Sequence, residues 1–116
     1  MRIQQTVLKN LPADLGKLSA LAKENPQLVL VFASPKHYQT GELTAALAQT
    51  FPKAERVGCS TAGEISMEGV ENACAVVTTL HFNQIDLKVV STELASMESS
   101  EQAGAALAQA LVGWSP

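Results

Sequence analysis

Leu28-Val29-Leu30-Val31-Phe32-Ala33 is a continuous apolar run rich in branched side chains, closed by Ser34-Pro35. It shows no alternation of apolar and polar positions, so it predicts a strand buried on both faces, as in a parallel sheet. Leu43, Ala46, Leu47 and Phe51 then recur at three-to-four spacing, which predicts a helix over 40–51 that Pro52 stops. Ala54 to Gly58 supplies the next strand-like run. Strand, helix, strand over 28–58 is a βαβ unit, whose two strands run parallel.

Working outward, residues 1–9 read as a short strand with Ile3 and Val7 packing inward. Asn10 and Pro12 mark a helix start, because proline is tolerated in the first turn. Leu11, Leu15, Leu18, Leu21 and Ala22 give that helix (11–24) one apolar face, and Asn25-Pro26 closes it. Residues 59–72 read as a loop. Cys74 to Phe82 and Ile85 to Val90 are strand-like and separated only by Asn83-Gln84, which predicts an antiparallel hairpin over 74–90. Ser99 and Gln102 form a Ser-x-x-Gln capping box ahead of Ala103, Ala106, Leu107, Ala110 and Leu111, a helix over 100–112. The fold class is therefore α/β, a mixed sheet built from a βαβ unit and a hairpin with about three helices.

The last helix feeds no further strand, so the expectation is a truncated domain, with Trp114 covering core that the chain lacks. A truncated sheet leaves an unpaired edge, and such edges recruit other chains. Self-association is the expected consequence; light scattering at high concentration would report a monomer if this expectation is wrong.

Composition narrows the function classes. A chain of 116 residues suits a single domain with a real core. Aromatics make up only 4%, so aliphatic side chains must fill that core. Net charge is −3, and the eight Lys and Arg residues are scattered without a basic stripe. That disfavours nucleic acid and anionic membrane surfaces as partners. The start carries no signal-peptide pattern, no run approaches a bilayer span, and Cys59 and Cys74 fit neither a disulfide framework nor a CxxC metal motif. The expected location is the cytoplasm.

Ligands of open parallel sheets bind in the crevice at the carboxyl ends of the strands. Two segments leave such ends here: Ser34-Pro35-Lys36-His37-Tyr38 and Gly58-Cys59-Ser60-Thr61-Ala62-Gly63-Glu64. If the two strands are neighbours, both open onto one rim. Gly58 and Gly63 permit close approach or unusual backbone angles, and the small hydroxyl residues between them could face a carboxylate or phosphate. A tight turn whose hydroxyls satisfy their own backbone explains the same composition. No Gly-Lys-Ser/Thr follows, so this is not a Walker loop.

Gly58-Cys59-Ser60-Thr61-Ala62-Gly63-Glu64-Ile65 resembles the signature octad of the FIST domain, and Leu28 to Pro35 resembles the strand that precedes it in that family. The likeness continues through 74–90 and covers about residues 10–112. It implies that 1–116 is a partial FIST N-terminal domain, lacking its remainder and the C-terminal domain that follows in the family. It implies a signal-input module that binds small ligands such as amino acids and acts with histidine kinases, cyclases or chemotaxis receptors. Some bacterial members are associated with haem-based nitric oxide sensing.

The candidate ligand-binding residues are Ser34, His37, Cys59, Ser60, Thr61, Gly63 and Glu64, with no catalytic residue and no metal site assigned. Each has a plainer reading. Ser34, Ser60 and Thr61 could simply cap turns, and Glu64 could bond nearby backbone N–H groups. Cys59 could be a nucleophile with His37 as base and Glu64 orienting it, but a cysteine after a buried strand is more often a small packed hydrophobe. His37 or His81 could ligate haem through a neutral imidazole; a solvated surface role is commoner, and no CxxCH attachment motif is present.

Overall fold

The computed structural model describes residues 1–66, 69–71 and 74–114, with the side chains of 64–66, 70 and 71 outside that description. The chain divides into two compact units, Met1–Asn83 and Gln84–Pro116.

The first unit is built on a mixed four-stranded sheet. β1 (Arg2–Leu8), β2 (Leu28–Ala33), β3 (Glu55–Ser60) and, after the short β4 (Glu64–Ser66) and β5 (Gly69–Glu71), β6 (Ala75–His81) are its strands. The order across the sheet is β1-β6-β2-β3, while β4 and β5 pair antiparallel as a separate two-stranded ribbon. β2 and β3 run parallel in the register Val31↔Gly58, as the βαβ reading requires. β6 is antiparallel to both β1 and β2. β1, β2 and β3 therefore share one direction, and their carboxyl ends lie along one edge of the sheet.

The hairpin expected over 74–90 does not form. β6 is present, but 85–90 carry no strand pairing. The reason is occupancy: a strand has two edges, and β1 and β2 take both edges of β6. The loop expected over 59–72 likewise contains the end of β3 together with β4 and β5.

Burial along β2 alternates, contrary to the expectation of burial on both faces: Val29, Val31 and Ala33 are buried, whereas Phe32 is 39% exposed. Period-two geometry sends the first set to one face and Phe32 to the other. The packed face joins Leu8, Val29, Val31, Ala33, Ala75 and Val77 to Leu18, Leu21, Leu43, Leu47 and Phe51 from the helices. Leu18 and Leu21 belong to α1 (Leu18–Ala22), which continues a 3-10 turn at Ala13–Lys17, so the helix expected over 11–24 is shorter and tighter at its start. α2 (Lys36–Gln39) and α3 (Glu42–Thr50) follow β2. They meet at Gly41, whose φ of +77° lies in the left-handed region that favours glycine and lets the chain change direction between them.

On β1 the strand reading holds, but Ile3 is 56% exposed, while Val7 is buried in a small cluster with Cys74 and Val76 on the opposite face from Leu8. Leu8 is the β1 residue that enters the main core. Where the chain leaves β1, the Asp14 carboxylate accepts the Asn10 and Lys9 N–H groups at 2.9 and 3.0 Å. The Leu11–Pro12 peptide within this turn is cis. The Asn10 N–H, assisted by the Lys9 N–H and the nearby Lys17 ammonium, holds the Asp14 carboxyl below its ordinary value against a partial opposing effect of desolvation.

The second unit carries a 3-10 turn at Met97–Ser99 and α4 (Ser100–Ala110). Ser99 stands at the N-cap, but its side chain makes no capping bond to the helix and instead lies 3.2 Å from the Ser96 hydroxyl. The capping-box expectation fails at that point, since both hydroxyls can satisfy each other. No residue of α4 is buried. Among the described residues, no helix is long and apolar enough to cross a membrane.

Two outcomes follow from this packing. Leu8→Ala should cost about 2–5 kcal/mol, because Leu8 is fully buried in the main core, whereas Ile3→Ala should cost about 1 kcal/mol or less; urea denaturation midpoints at unchanged slope measure both. Because the folded pKa of Asp14 is depressed, its contribution to stability is complete above the ordinary value of 3.8 and is lost as the pH falls through the folded value. The stability difference between wild type and Asp14→Ala should therefore be flat from about pH 7 to 5 and shrink only in acid.

Candidate functional site

Gly58 sits opposite Val31 at the middle of the parallel pair. A Cβ at this position would collide with the Val31 carbonyl oxygen and stand 3.1 Å from the Val31 Cβ. Glycine is therefore what allows β3 to lie this close to β2. Beyond the pair, the Thr61 N–H donates to the Ala33 carbonyl at 2.9 Å and carries the pairing past the end of β3.

Ser34 and Pro35 turn the chain out of β2. The Ser34 N–H donates to the Cys74 carbonyl at 3.1 Å, and the Ser34 carbonyl accepts the His37 N–H at 3.0 Å, starting α2. Successive residues on a helix diverge by about 100°, so His37 and Tyr38 serve different sides of α2. Tyr38 turns toward β3, and its hydroxyl donates to the Cys59 carbonyl at 2.9 Å. Pro35, Tyr38, Gly58, Cys59 and Ser60 line a shallow, open groove of about 380 Å³. This groove joins the end of β2 to the end of β3.

His37 turns the other way. It is 9% exposed and lines a second cavity of about 340 Å³ with Lys9, Asn10, Leu11, Lys36, Thr40, Glu42 and Leu43. That cavity lies between the ends of β1 and β2. α2 thus stands between two recesses on one edge of the sheet.

The expected site residues divide accordingly. Cys59 and Ser60 share the groove, but as the last residues of a strand rather than as loop residues. Ser34 is among the lining residues of neither recess; it is half-buried, with a buried hydroxyl that has no hydrogen-bond partner among the described residues. Thr61 and Gly63 are half-buried in the turn that follows, and Glu64 opens β4 with its side chain outside the described residues. The Cys59 thiol and the His37 imidazole line different cavities, so the nucleophile-and-base arrangement is not gathered in one recess. Cys74, the other cysteine, is buried. His81 lies at the opposite edge of the sheet, paired with Arg2 at the start of β1, with Nδ1 3.0 Å from the Asn25 carbonyl oxygen. The two histidines considered for haem are therefore at opposite ends of the strands. Among the described residues, no group of three or more His, Cys, Asp or Glu side chains is placed to hold a metal ion.

The family model described as the FIST N domain matches residues 27–116, from the entry to β2 onward. The chain belongs to the FIST N domain family. FIST domains are sensory modules of signal transduction, and membership puts this chain in that class. No curated protein and no solved structure matches the chain. Within this FIST N domain the octad spans three settings: Gly58–Ser60 in β3, Thr61–Gly63 in the turn, and Glu64-Ile65 in β4. Both recesses draw on the matched region, but Lys9, Asn10 and Leu11 come from the segment before it.

Tyr38, Lys9, Asn10, Thr40 and Glu42 line these recesses without being among the expected site residues. The direction of β1 brings Lys9 and Asn10 to this edge, and a strand pattern without its partner does not supply that direction.

Gly58→Ala should destabilise the FIST N domain by about 1–3 kcal/mol, because the obstructing atoms belong to backbone. Gly16→Ala is the control: a Cβ there meets nothing within 4 Å, and replacing glycine at such a site is neutral or stabilising by about 0.4–1 kcal/mol. Paired chemical denaturation curves decide it.

Proposed function

We propose that this FIST N domain is a cytoplasmic signal-input module that binds a small ligand, an amino acid or related metabolite, in the groove between the ends of β2 and β3. The observation that carries the reading is the convergence of Pro35, Tyr38, Gly58, Cys59 and Ser60 on one recess at the carboxyl edge of parallel strands. Such crevices are where open α/β sheets take ligands, because strand-end backbone groups and short side chains are exposed there together. The Ser60 hydroxyl supplies a donor and acceptor, and the Tyr38 ring a flat apolar wall. Occupancy is passed to a downstream signalling protein such as a histidine kinase, a cyclase or a chemotaxis receptor. The outer edge of β3, with no strand beyond it in the four-stranded sheet, supports self-association of the chain as well.

Two readouts together test the groove. A thermal-shift screen of amino acids and metabolites should return a compound that raises the melting temperature by several degrees at about 100 times its dissociation constant. The same compound should slow iodoacetamide labelling of exposed Cys59, while buried Cys74 stays unlabelled in the native state. Ser60→Trp, which fills the groove, should abolish both effects. A stabilising compound that leaves Cys59 labelling unchanged, or a screen without any response, contradicts the proposal.

A further inference from the structure

β3 is an edge of the four-stranded sheet, and every residue from Glu55 to Ser60 is exposed. β1, the opposite edge, is exposed only at Arg2 and Ile3 and is half-buried or buried from Gln4 to Leu8. The parallel pairing with β2 fixes which backbone groups of β3 are left over. The Glu55 N–H donates to the Gln27 carbonyl and the Thr61 N–H to the Ala33 carbonyl, so the odd-numbered residues face β2. Arg56, Gly58 and Ser60 therefore turn their N–H and C=O groups outward, where this sheet has no further strand.

This edge is poorly guarded. It contains no proline and no lysine, and its charged residues, Glu55 and Arg56, sit together at its start. The Arg56 guanidinium is drawn onto the Phe51 carbonyl at 2.7 Å. At the middle, Gly58 has no side chain to hold an approaching strand away.

Only even-numbered residues bond outward, so a second copy meeting this edge antiparallel must set even residues against even ones. The register that engages all of them sets Gly58 against Gly58, with Arg56 against Ser60 on either side. Like charges opposite each other would destabilise the pair, but here Arg56 faces Ser60 and Glu55 faces Thr61. Val57 and Cys59 fall opposite each other on the face that also carries exposed Phe32. An apolar strip of Phe32, Val57 and Cys59 thus continues across the axis, with the helices of both copies on the other side.

We propose that β3 pairs antiparallel with β3 of a second copy about a two-fold axis at Gly58, joining two sheets into one. The proposal rests on the self-association reading of this edge and adds its direction and register. It also bears on the groove, because Ser60 lines that recess and Arg56 of the second copy stands opposite Ser60 on the same face. Assembly therefore adds a wall to a recess that is shallow and open in the single chain.

Sedimentation velocity of the 116-residue chain over a range of concentrations should show a monomer–dimer equilibrium. Val57→Lys, which sets two ammonium groups beside the axis, should raise the dimer Kd at least tenfold. Ile3→Lys, the same change at an exposed position of the other edge strand, should alter it less than twofold. NMR contacts between β2 and β6 should persist in both variants, showing the sheet intact. Register is read by disulfide trapping with oxidised glutathione. Residues opposite each other at non-hydrogen-bonded positions lie about 4.5 Å apart at Cα, within the span of a disulfide. A mixture of the Val57→Cys/Cys59→Ser chain with wild type should therefore cross-link several times faster than either chain alone. A chain that is monomeric at every concentration overturns both this proposal and the self-association reading. A dimer weakened equally by Ile3→Lys, or a mixture that cross-links no faster than its components, overturns this register and leaves self-association through another surface standing.

Discussion

The close parallel approach of β3 to β2, with a glycine at its centre, is the constraint on which the rest of the first unit depends. Gly58 faces Val31 where any side chain would meet backbone, so the register is fixed at the point of contact. From that register, Phe32 falls opposite Cys59 and Ala33 opposite Ser60. The Thr61 N–H then reaches the Ala33 carbonyl, and Tyr38 latches the end of β3 through the Cys59 carbonyl. The groove is what remains between two strand ends held this way. Its shape is a product of backbone pairing more than of the side chains that line it.

The second constraint is the direction of β1. It is antiparallel to β6, which is antiparallel to β2, so the first strand delivers Lys9 to Leu11 to the same edge that receives Ser34 to Tyr38. A four-residue helix, α2, then stands between the groove and the second cavity. Placing His37 and Tyr38 next to each other in sequence puts them in different recesses, because adjacent helical positions point apart. Sequence neighbours are thus separated while Tyr38 and Cys59, 21 positions apart, are hydrogen-bonded.

Much of this was legible from residue patterns. The apolar run at 28–33, the spacing of Leu43, Leu47 and Phe51, and the octad at 58–65 sufficed for the βαβ unit, its helix and the family. Burial of β2 on both faces was misread because branched residues fill both sides of the strand, yet helices cover only one. The hairpin at 74–90 failed for a reason no local pattern contains: Asn83-Gln84 looks like a two-residue turn, but β6 is already paired on both edges, Thr78 with Gln5 on one side and Leu30 on the other, 73 and 48 positions away. Similarly, Cys59 and His37 looked like neighbours on a common rim, and they are, but α2 stands between their recesses. Pair directions and side-chain azimuths are long-range properties, and they decided each difference.

The most direct test of the account is a set of nuclear Overhauser contacts across the β2–β3 pair and from the Tyr38 ring. The account predicts backbone contacts of Val31 with Gly58 and Ala33 with Ser60, together with contacts from the Tyr38 ring protons to Cys59 and Ser60. A spectrum with the β2–β6 contacts intact but none between 31–38 and 58–60 would contradict it, because no groove could then join those segments.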